Sequence, residues 1–194
     1  MEKRFDVIAM GELLIDFTMN GQSEQGNNLF EACPGGAPCN VLAMLNKLGK
    51  KTAFLGKVGD DQFGRLLRDT ISSAGIDASN LLTDDEVNTT LAFVHTFPDG
   101  DREFSFYRNP GADMMLREEE VEEDFIRQAR LFHFGNVHWS TNSGNNVFSL
   151  CVCQELSKES VLSCSRVSCK CNTCSTVISH VTECHHLYVN SSSP

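Results

Sequence analysis

The first third of the chain alternates short apolar runs with longer amphipathic segments. Residues 5–10 are a short apolar run ended by Gly11 and predict a strand, and residues 51–59 predict a second strand. Between them, apolar residues recur at helical spacing, and Asp60-Asp61 is a natural N-cap for a further helix that ends near Gly75. The order strand, helix, strand, helix predicts a parallel sheet with crossover helices.

The pattern changes after residue 88, where aromatic residues alternate with polar ones. Segments 89–97 and 103–108 flank Pro98-Asp99-Gly100-Asp101, which is a strong hairpin signal. Such strands are typical of a sheet with one face open to solvent. Further along, residues 118–130 predict an acidic helix and residues 131–135 a buried strand.

The stretch Gly35-Gly36-Ala37-Pro38-Cys39-Asn40 leads from a glycine loop into a helix. Two glycines let the backbone approach a bound molecule closely, and Pro38 suits a first helical turn. With Asn40 in that turn, the helix N-terminus can hold a polar ligand through backbone N–H groups and one amide. The alternative is an ordinary loop before a core helix.

A second candidate residue is Asp16, which interrupts the apolar run 13–18. A carboxylate just beyond a strand could accept hydrogen bonds from substrate hydroxyls. The alternative is that it caps a turn or lies exposed at the strand end.

The length and the net charge of the chain indicate how many domains it has and which partners it can bind. With 194 residues the chain is long enough for one good core, and a single domain is expected. The formal net charge of -10 argues against nucleic acid or an anionic membrane as partner, because both need a basic face. No apolar run approaches the ~20 residues of a membrane span, and no signal peptide is evident, so we expect a cytoplasmic protein.

Four blocks of the chain resemble one enzyme family. Gly35 to Asn40, with Gly49 and Gly59 at their spacings, is similar to the N-terminal signature of the PfkB (ribokinase-like) carbohydrate kinases. Residues 56–64 resemble the next block of that family, and residues 106–114 and 132–135 resemble its fructokinase branch. The resemblance covers residues 5–142, with the four blocks in the family's order.

The resemblance implies an α/β fold. It is the N-terminal portion of a Rossmann-like (ribokinase-like) three-layer sandwich with a small β-sheet lid. We expect residues 1–142 to form this part of the kinase domain, with the lid at about 12–33 and 89–108. The predicted hairpin agrees with the second lid segment.

The resemblance also implies a set of sugar-binding residues. By position, Asp16 would accept sugar hydroxyls, and the glycine loop would cradle the sugar through Gly35, Gly36 and Asn40. The lid residues that would close over the sugar are Phe93, Phe106, Tyr107 and Arg108. These groups suit a neutral polyol such as fructose or a related ketose. The alternatives are that the aromatic residues only pack the lid, and that Arg108 pairs with Asp113 or another acid.

The family's reaction is phosphoryl transfer from Mg-ATP to a sugar hydroxyl, which needs a base and groups that absorb phosphate charge. The resemblance implies that a Gly-Ala-Gly-Asp block and an Asp-Pro-Asn-x-Arg segment supply them, and neither occurs in the 194 residues. We therefore predict a truncated, inactive form that keeps the sugar-binding half and does not bind ATP and Mg productively. No catalytic or metal-binding residue is assigned. The alternative is a non-catalytic sugar-binding or dimerisation partner, with a homodimer formed through the lid sheet.

Residues 143–194 have a different composition and do not resemble the family. Seven of the nine cysteines and twelve serines lie there, whereas the last aspartate of the chain is Asp124. We expect a disordered or aberrant tail, and a frameshift or splicing artefact explains its composition best. A disulfide framework is disfavoured by the expected cytoplasmic location. A zinc site is the remaining alternative, with ligands drawn from Cys169, Cys171, Cys174, Cys184, His185 and His186.

Overall fold

A computed structural model describes residues 3–97, 99–135, 138–141, 144–147 and 152–155. These residues form eleven strands and three helices, together with two 3-10 turns at Ala112–Met115 and Glu118–Glu120. In chain order, the elements are β1 (Phe5–Gly11), β2 (Leu14–Gln22), β3 (Asn28–Gly35), α1 (Ala37–Lys47), β4 (Thr52–Gly59), α2 (Gln62–Ser73), β5 (Asp77–Asp84), β6 (Leu91–Thr96), β7 (Arg102–Tyr107), α3 (Glu123–Ile126), β8 (Ala129–Gly135), β9 (His138–Thr141), β10 (Gly144–Val147) and β11 (Val152–Glu155).

The main sheet has five strands in the order β11-β8-β1-β4-β5. The central strand β1 pairs in parallel with β4 and β8, and β4 pairs in parallel with β5. The edge strand β11 runs antiparallel to β8. The predicted parallel sheet with crossover helices is therefore confirmed.

Both faces of the main sheet are covered, which makes three layers. Val7 and Ala9 of β1 belong to a cluster with α1 and α2, whereas Ile8 and Met10 belong to a cluster with α3 and the segment before it. Side chains that alternate along a strand point to opposite faces, so one short strand contributes to both clusters. Burial on two sides explains why β1 is almost entirely apolar and why every residue of β4 is buried.

The two longer helices are short by membrane standards. α1 has 11 residues and α2 has 12. Within the described part of the chain, no helix combines the length and the apolar composition needed to cross a bilayer.

Four further strands form a second sheet in the order β3-β2-β6-β7, and none of them is hydrogen-bonded to a described strand of the main sheet. We call this second sheet the lid sheet. β2 pairs antiparallel with β3 and parallel with β6, and β6 pairs antiparallel with β7. A third, two-stranded sheet joins β9 and β10. The α/β class with a small additional β-sheet is confirmed.

The predicted acidic helix over residues 118–130 is wrong. The structure has a 3-10 turn and then the single helical turn of α3, and β8 begins at Ala129. The buried Lys57 explains this, since its Nζ lies 2.7 Å from Glu120 Oε1 and 3.6 Å from Asp84 Oδ2. Arg117 binds the same Glu120 carboxylate at 3.0 Å. These contacts hold Glu120 in the turn against β4 and β5, and they outweigh the local preference for helix.

Candidate functional site

Asp16 and Gly35 lie next to each other on the antiparallel pair β2 and β3. Asp16 is directly opposite Cys33 in the register, and Gly35 is two residues further along β3 on the same face. A Cβ built on Gly35 would collide with the Asp16 carboxylate. Gly35 is thus a position where only glycine leaves room for this carboxylate.

Gly36 connects this carboxylate to the start of α1. It is the N-cap residue with φ +126°, and a Cβ there would lie 2.5 Å from the Glu12 carbonyl oxygen. Few residues other than glycine adopt that conformation, and none has space here. Asn40 donates its backbone N–H to the Gly36 carbonyl at 3.1 Å, and Asn40 is exposed in the first turn of α1.

Asp16 is half-buried, and burial raises the pKa of its carboxyl. A charge in such a place costs stability, so it is unusual for a residue with a purely structural role. By contrast, Cys39 in the first turn of α1 is buried among apolar side chains, and burial raises the pKa of its thiol to about 12.

Arg108 follows the last lid strand and turns back toward the glycine loop. Its Nη1 atom lies 3.7 Å from Glu12 Oε2 and 3.5 Å from Asp113 Oδ2. Its guanidinium lies over the ring of Phe106, 4.4 Å from the centroid, which is a cation–π contact. The side chain is only 17% exposed. The alternative that Arg108 pairs with Asp113 therefore describes the structure, with Glu12 as a second partner.

Asp113 connects Arg108 to the segment just before β6, the third strand of the lid sheet in the chain. Its side chain is 2% exposed and accepts a hydrogen bond from the Thr90 hydroxyl. Thr90 precedes β6, and its carbonyl accepts a hydrogen bond from the backbone N–H of Ile15, next to Asp16. Asp16, Thr90, Asp113 and Arg108 thus belong to one connected frame.

The register of the lid sheet separates the predicted aromatic residues into two groups. Asp16 pairs with Ala92, which pairs with Phe106, so Asp16 and Phe106 share a face. Phe17 pairs with Phe93 on the opposite face. On that face, the Phe93 ring stacks on Phe17 at 5.1 Å and contacts two further rings edge-on, those of Phe30 and Tyr107. We call Phe17, Phe30, Phe93 and Tyr107 the aromatic face.

The eight predicted site residues are consequently not all brought together. Asp16, Gly35 and Gly36 form one surface at the start of α1, where Asn40 is exposed, and Arg108 with Phe106 joins it through Glu12. Phe93 and Tyr107 lie on the aromatic face and do not share a face with Asp16. Sequence reasoning missed Glu12 and Thr90, because a residue in a turn and one before a strand gave no periodic signal.

Residues 56–64 connect the main sheet to the segment that leads into the lid sheet through the hydrogen bonds of Asp61. The Asp61 carboxylate caps α2 by accepting from the Gly64 N–H, and it also accepts from the N–H and hydroxyl of Thr89, at 2.7 to 2.8 Å. Thr89 immediately precedes Thr90. Burial would raise the pKa of Asp61, but the hydrogen bonds from Thr89 and Gly64 outweigh it and lower that pKa.

The glycine loop is a poor fit for a phosphate group. The Asp16 carboxylate covers Gly35, and the Glu12 carbonyl lies against Gly36, so acceptors surround the approach to this helix N-terminus. A hydroxyl can donate to such acceptors, whereas the oxygens of a nucleotide phosphate are repelled by them. The groups beside Gly35 and Gly36 are thus a carboxylate and a carbonyl, and both accept hydrogen bonds.

Metal ligands are not gathered in the part of the chain that the structure describes. There, no group of three or more His, Cys, Asp or Glu side chains is arranged to hold an ion. The cysteines and histidines considered for zinc, Cys169 to His186, lie outside the described residues.

Comparisons with known proteins agree on one family. A family model described as pfkB family carbohydrate kinase matches residues 4–191. Fructokinase-2 of Oryza sativa subsp. japonica is 47% identical over 133 residues, which are 68% of this chain and 40% of that protein. The crystal structure of a fructokinase from Xylella fastidiosa is similar with a TM-score of 0.62 and 35% identity, over 68% of this chain and 41% of the other.

A second structure of the Xylella fastidiosa fructokinase, with bound ATP, has a TM-score of 0.60 and 36% identity, over 68% of this chain and 39% of the other. The chain thus spans about two fifths of the length of the curated relatives that it matches. The expected three-layer ribokinase-like fold with an added β-sheet is confirmed by these likenesses.

Proposed function

The chain belongs to the pfkB family of carbohydrate kinases, and we propose that its described residues form the sugar-binding part of a fructokinase-like kinase. Two of the relatives that it matches, one from a plant and one from a bacterium, are named fructokinases. The substrate of this site is then a neutral sugar, fructose or a related ketose.

The observation that carries this proposal is the placement of Asp16 over Gly35 beside the N-terminus of α1. A carboxylate accepts hydrogen bonds from two hydroxyls, and the exposed Asn40 amide can both donate and accept. Adjacent hydroxyls of a polyol match such a set. Burial of Asp16 lowers the competition from water and strengthens each hydrogen bond.

The second part of the proposed site is the guanidinium of Arg108 over the ring of Phe106. The guanidinium offers N–H donors to a sugar oxygen, and the aromatic ring covers an apolar face of the sugar. Phe106 is 46% exposed, so its ring has surface available for a ligand. Asp16 and Phe106 lie on one face of the lid sheet, with Ala92 between them.

The transfer of phosphate is a separate question. The 194 residues contain no Gly-Ala-Gly-Asp block, and the glycine loop does not suit phosphate. We infer that this chain binds sugar without productive binding of ATP and Mg, and that it does not phosphorylate the sugar by itself.

Calorimetry combined with a product assay tests both parts of the proposal. D-fructose is titrated into the 194-residue chain, and the same sample is then incubated with Mg-ATP and assayed for fructose phosphate. We expect saturable binding and no product. Asp16→Asn should weaken binding, whereas Asp69→Asn, an exposed aspartate on α2, should leave it unchanged. Absence of fructose binding would contradict the first part, and product that depends on Asp16 would contradict the second.

A specific observation favours a homodimer through the aromatic face of the lid sheet. Tyr107 is 66% exposed, Phe30 is 41% exposed and the neighbouring Met19 is 56% exposed, all on the same face. Aromatic side chains and methionine are enriched where protein surfaces meet. A second copy of the chain would offer the same face by two-fold symmetry.

A further inference from the structure

Two carboxylates beside the sugar site, Glu12 and Asp113, have no place in the sugar contacts considered above. We propose that they are specificity-determining residues, which restrict the site to uncharged sugars by neutralising Arg108. This inference rests on the proposed function, because it specifies which sugars that same site accepts.

The guanidinium of Arg108 is surrounded by negative charge. Glu12 Oε2 and Asp113 Oδ2 lie 3.7 Å and 3.5 Å from Nη1, and the three side chains are 13%, 2% and 17% exposed for Glu12, Asp113 and Arg108. At this degree of burial, charges are screened much less than at the surface. Asp16 lies on the same side of the lid sheet as Phe106, whose ring lies under the Arg108 guanidinium. The site therefore has three carboxylates, those of Glu12, Asp16 and Asp113, and one guanidinium.

Both acids are anchored to the residues around the site, Asp113 through its side chain and Glu12 through its backbone. Asp113 accepts a hydrogen bond from the Thr90 hydroxyl, and the Thr90 carbonyl accepts one from the N–H of Ile15, next to Asp16. The backbone carbonyl of Glu12 lies against Gly36 at the start of α1. The Asp113 carboxylate is therefore held in place beside Arg108, and the Glu12 side chain starts from a position fixed next to the glycine loop.

The pairing of Arg108 with Asp113 is ionic and is closed to solvent. Arg108 Nη1 and Asp113 Oδ2 are both buried, and no described residue forms a hydrogen bond with either atom. Their separation of 3.5 Å is an ion pair without a close hydrogen bond. The positive charge of Arg108 is therefore already balanced by a carboxylate that a ligand does not displace easily.

A sugar acid is disfavoured at this site. Its carboxylate has no proton to give to Asp16, and it must compete with Glu12 and Asp113 for Arg108. Like charges placed together in a partly buried site repel each other, so they discriminate against a negatively charged sugar. An arginine alone would select acids, and the two carboxylates reverse that preference.

The test is the ratio of affinities for D-fructose and for 2-keto-D-gluconate, measured by calorimetry on the full 194-residue chain. We expect the wild-type chain to prefer fructose clearly. Glu12→Gln and Asp113→Asn should each reduce the ratio by about tenfold. The asparagine retains an oxygen for Thr90, and the glutamine retains the size of Glu12.

Glu120→Gln is the matched control, since it removes an acid that pairs with a buried lysine away from the site. It should lower thermal stability and leave the ratio of affinities unchanged. If Asp113→Asn does not fold, Glu12→Gln decides the question.

The possible outcomes separate the two proposals. An unchanged ratio in variants that still bind fructose would overturn the specificity role and leave the sugar site intact. A wild-type chain that binds neither sugar would overturn the proposed function, and this inference with it.

Discussion

The carboxylate of Asp16 occupies the space that a Cβ at Gly35 would need. The two residues are 19 positions apart in sequence and are brought together by the antiparallel pairing of β2 with β3. The glycine therefore sets the position of a half-buried acid that faces the start of α1.

Gly35→Ala should displace the Asp16 carboxylate and weaken fructose binding by at least about tenfold, because a shifted carboxylate loses a charged hydrogen bond. Gly26→Ala, in the turn between β2 and β3, is the control. Its φ of +81° makes alanine strained, but a Cβ there meets nothing within 4 Å. It should reduce stability by about 1 kcal/mol and leave the affinity unchanged. Equal losses of affinity in both variants would contradict this account.

Asp16→Asn should weaken fructose binding by about 10- to 100-fold, as expected for loss of a hydrogen bond to a charged group. The same change should raise the melting temperature at pH 7. Burial raises the pKa of Asp16, so the wild-type carboxyl favours folding most below its unfolded pKa, and that contribution is lost as the pH rises through the raised pKa. Thermal melts of both proteins between pH 4 and pH 7 should therefore diverge as the pH increases. A lower melting temperature for the asparagine variant at pH 7 would show that Asp16 serves stability.

Asp61→Ala should reduce the free energy of unfolding by about 2–4 kcal/mol, because it removes a helix cap and leaves the donors of Thr89 unpaired. Asp60→Ala is the matched control, since Asp60 forms only an exposed pair with Arg65 and should cost under about 1 kcal/mol. Urea denaturation measures both.

The pH dependence of that stability has a definite sign. The pKa of Asp61 is lowered in the folded state, so its contribution is present above the unfolded pKa of about 3.9 and is lost as the pH falls through the folded value. The difference between wild type and Asp61→Ala should shrink on acidification below about pH 4. If the difference in free energy of unfolding between the two proteins stayed constant from pH 7 to pH 3, an ionised Asp61 could not be the group that holds Thr89.

Tyr107→Ser should weaken self-association by at least about tenfold if the aromatic face joins two copies, as truncation of a central aromatic anchor does. Phe104→Ser is the control, because Phe104 is also exposed but lies on the opposite face of the lid sheet. Sedimentation velocity over a range of concentrations distinguishes the two variants. A monomeric wild-type chain, or equal effects of the two substitutions, would rule out this face as the interface.

The sequence predicted the main features of the fold because its signals there were local. The apolar run of β1, the N-cap at Asp60-Asp61 and the hairpin around Gly100 each follow from neighbouring residues. The strand β5 was missed, since Asp77–Asp84 is largely polar. It pairs with β4 on only one side in the five-stranded sheet, and such a strand needs little apolar sequence.

The arrangement of the site could not be predicted fully, because it depends on strand register and on contacts between residues that are far apart in the sequence. Phe93, Phe106 and Tyr107 were all predicted to close over the sugar, but strand register places Phe106 with Asp16 and the other two on the reverse face. A shift of one residue would exchange the faces, and no local pattern fixes it. The roles of Glu12 and Asp113 likewise depend on Arg108, which is 96 positions from Glu12.

The most direct test of the sugar site is a titration of the ¹⁵N-labelled chain with D-fructose, followed through the backbone amide resonances. The account predicts saturable shifts at Asp16, Gly35, Gly36 and Asn40, and no comparable shift at Phe93 on the reverse face. Saturation without shifts at the first four residues, or no shift anywhere at saturating sugar, would contradict the assignment of this site.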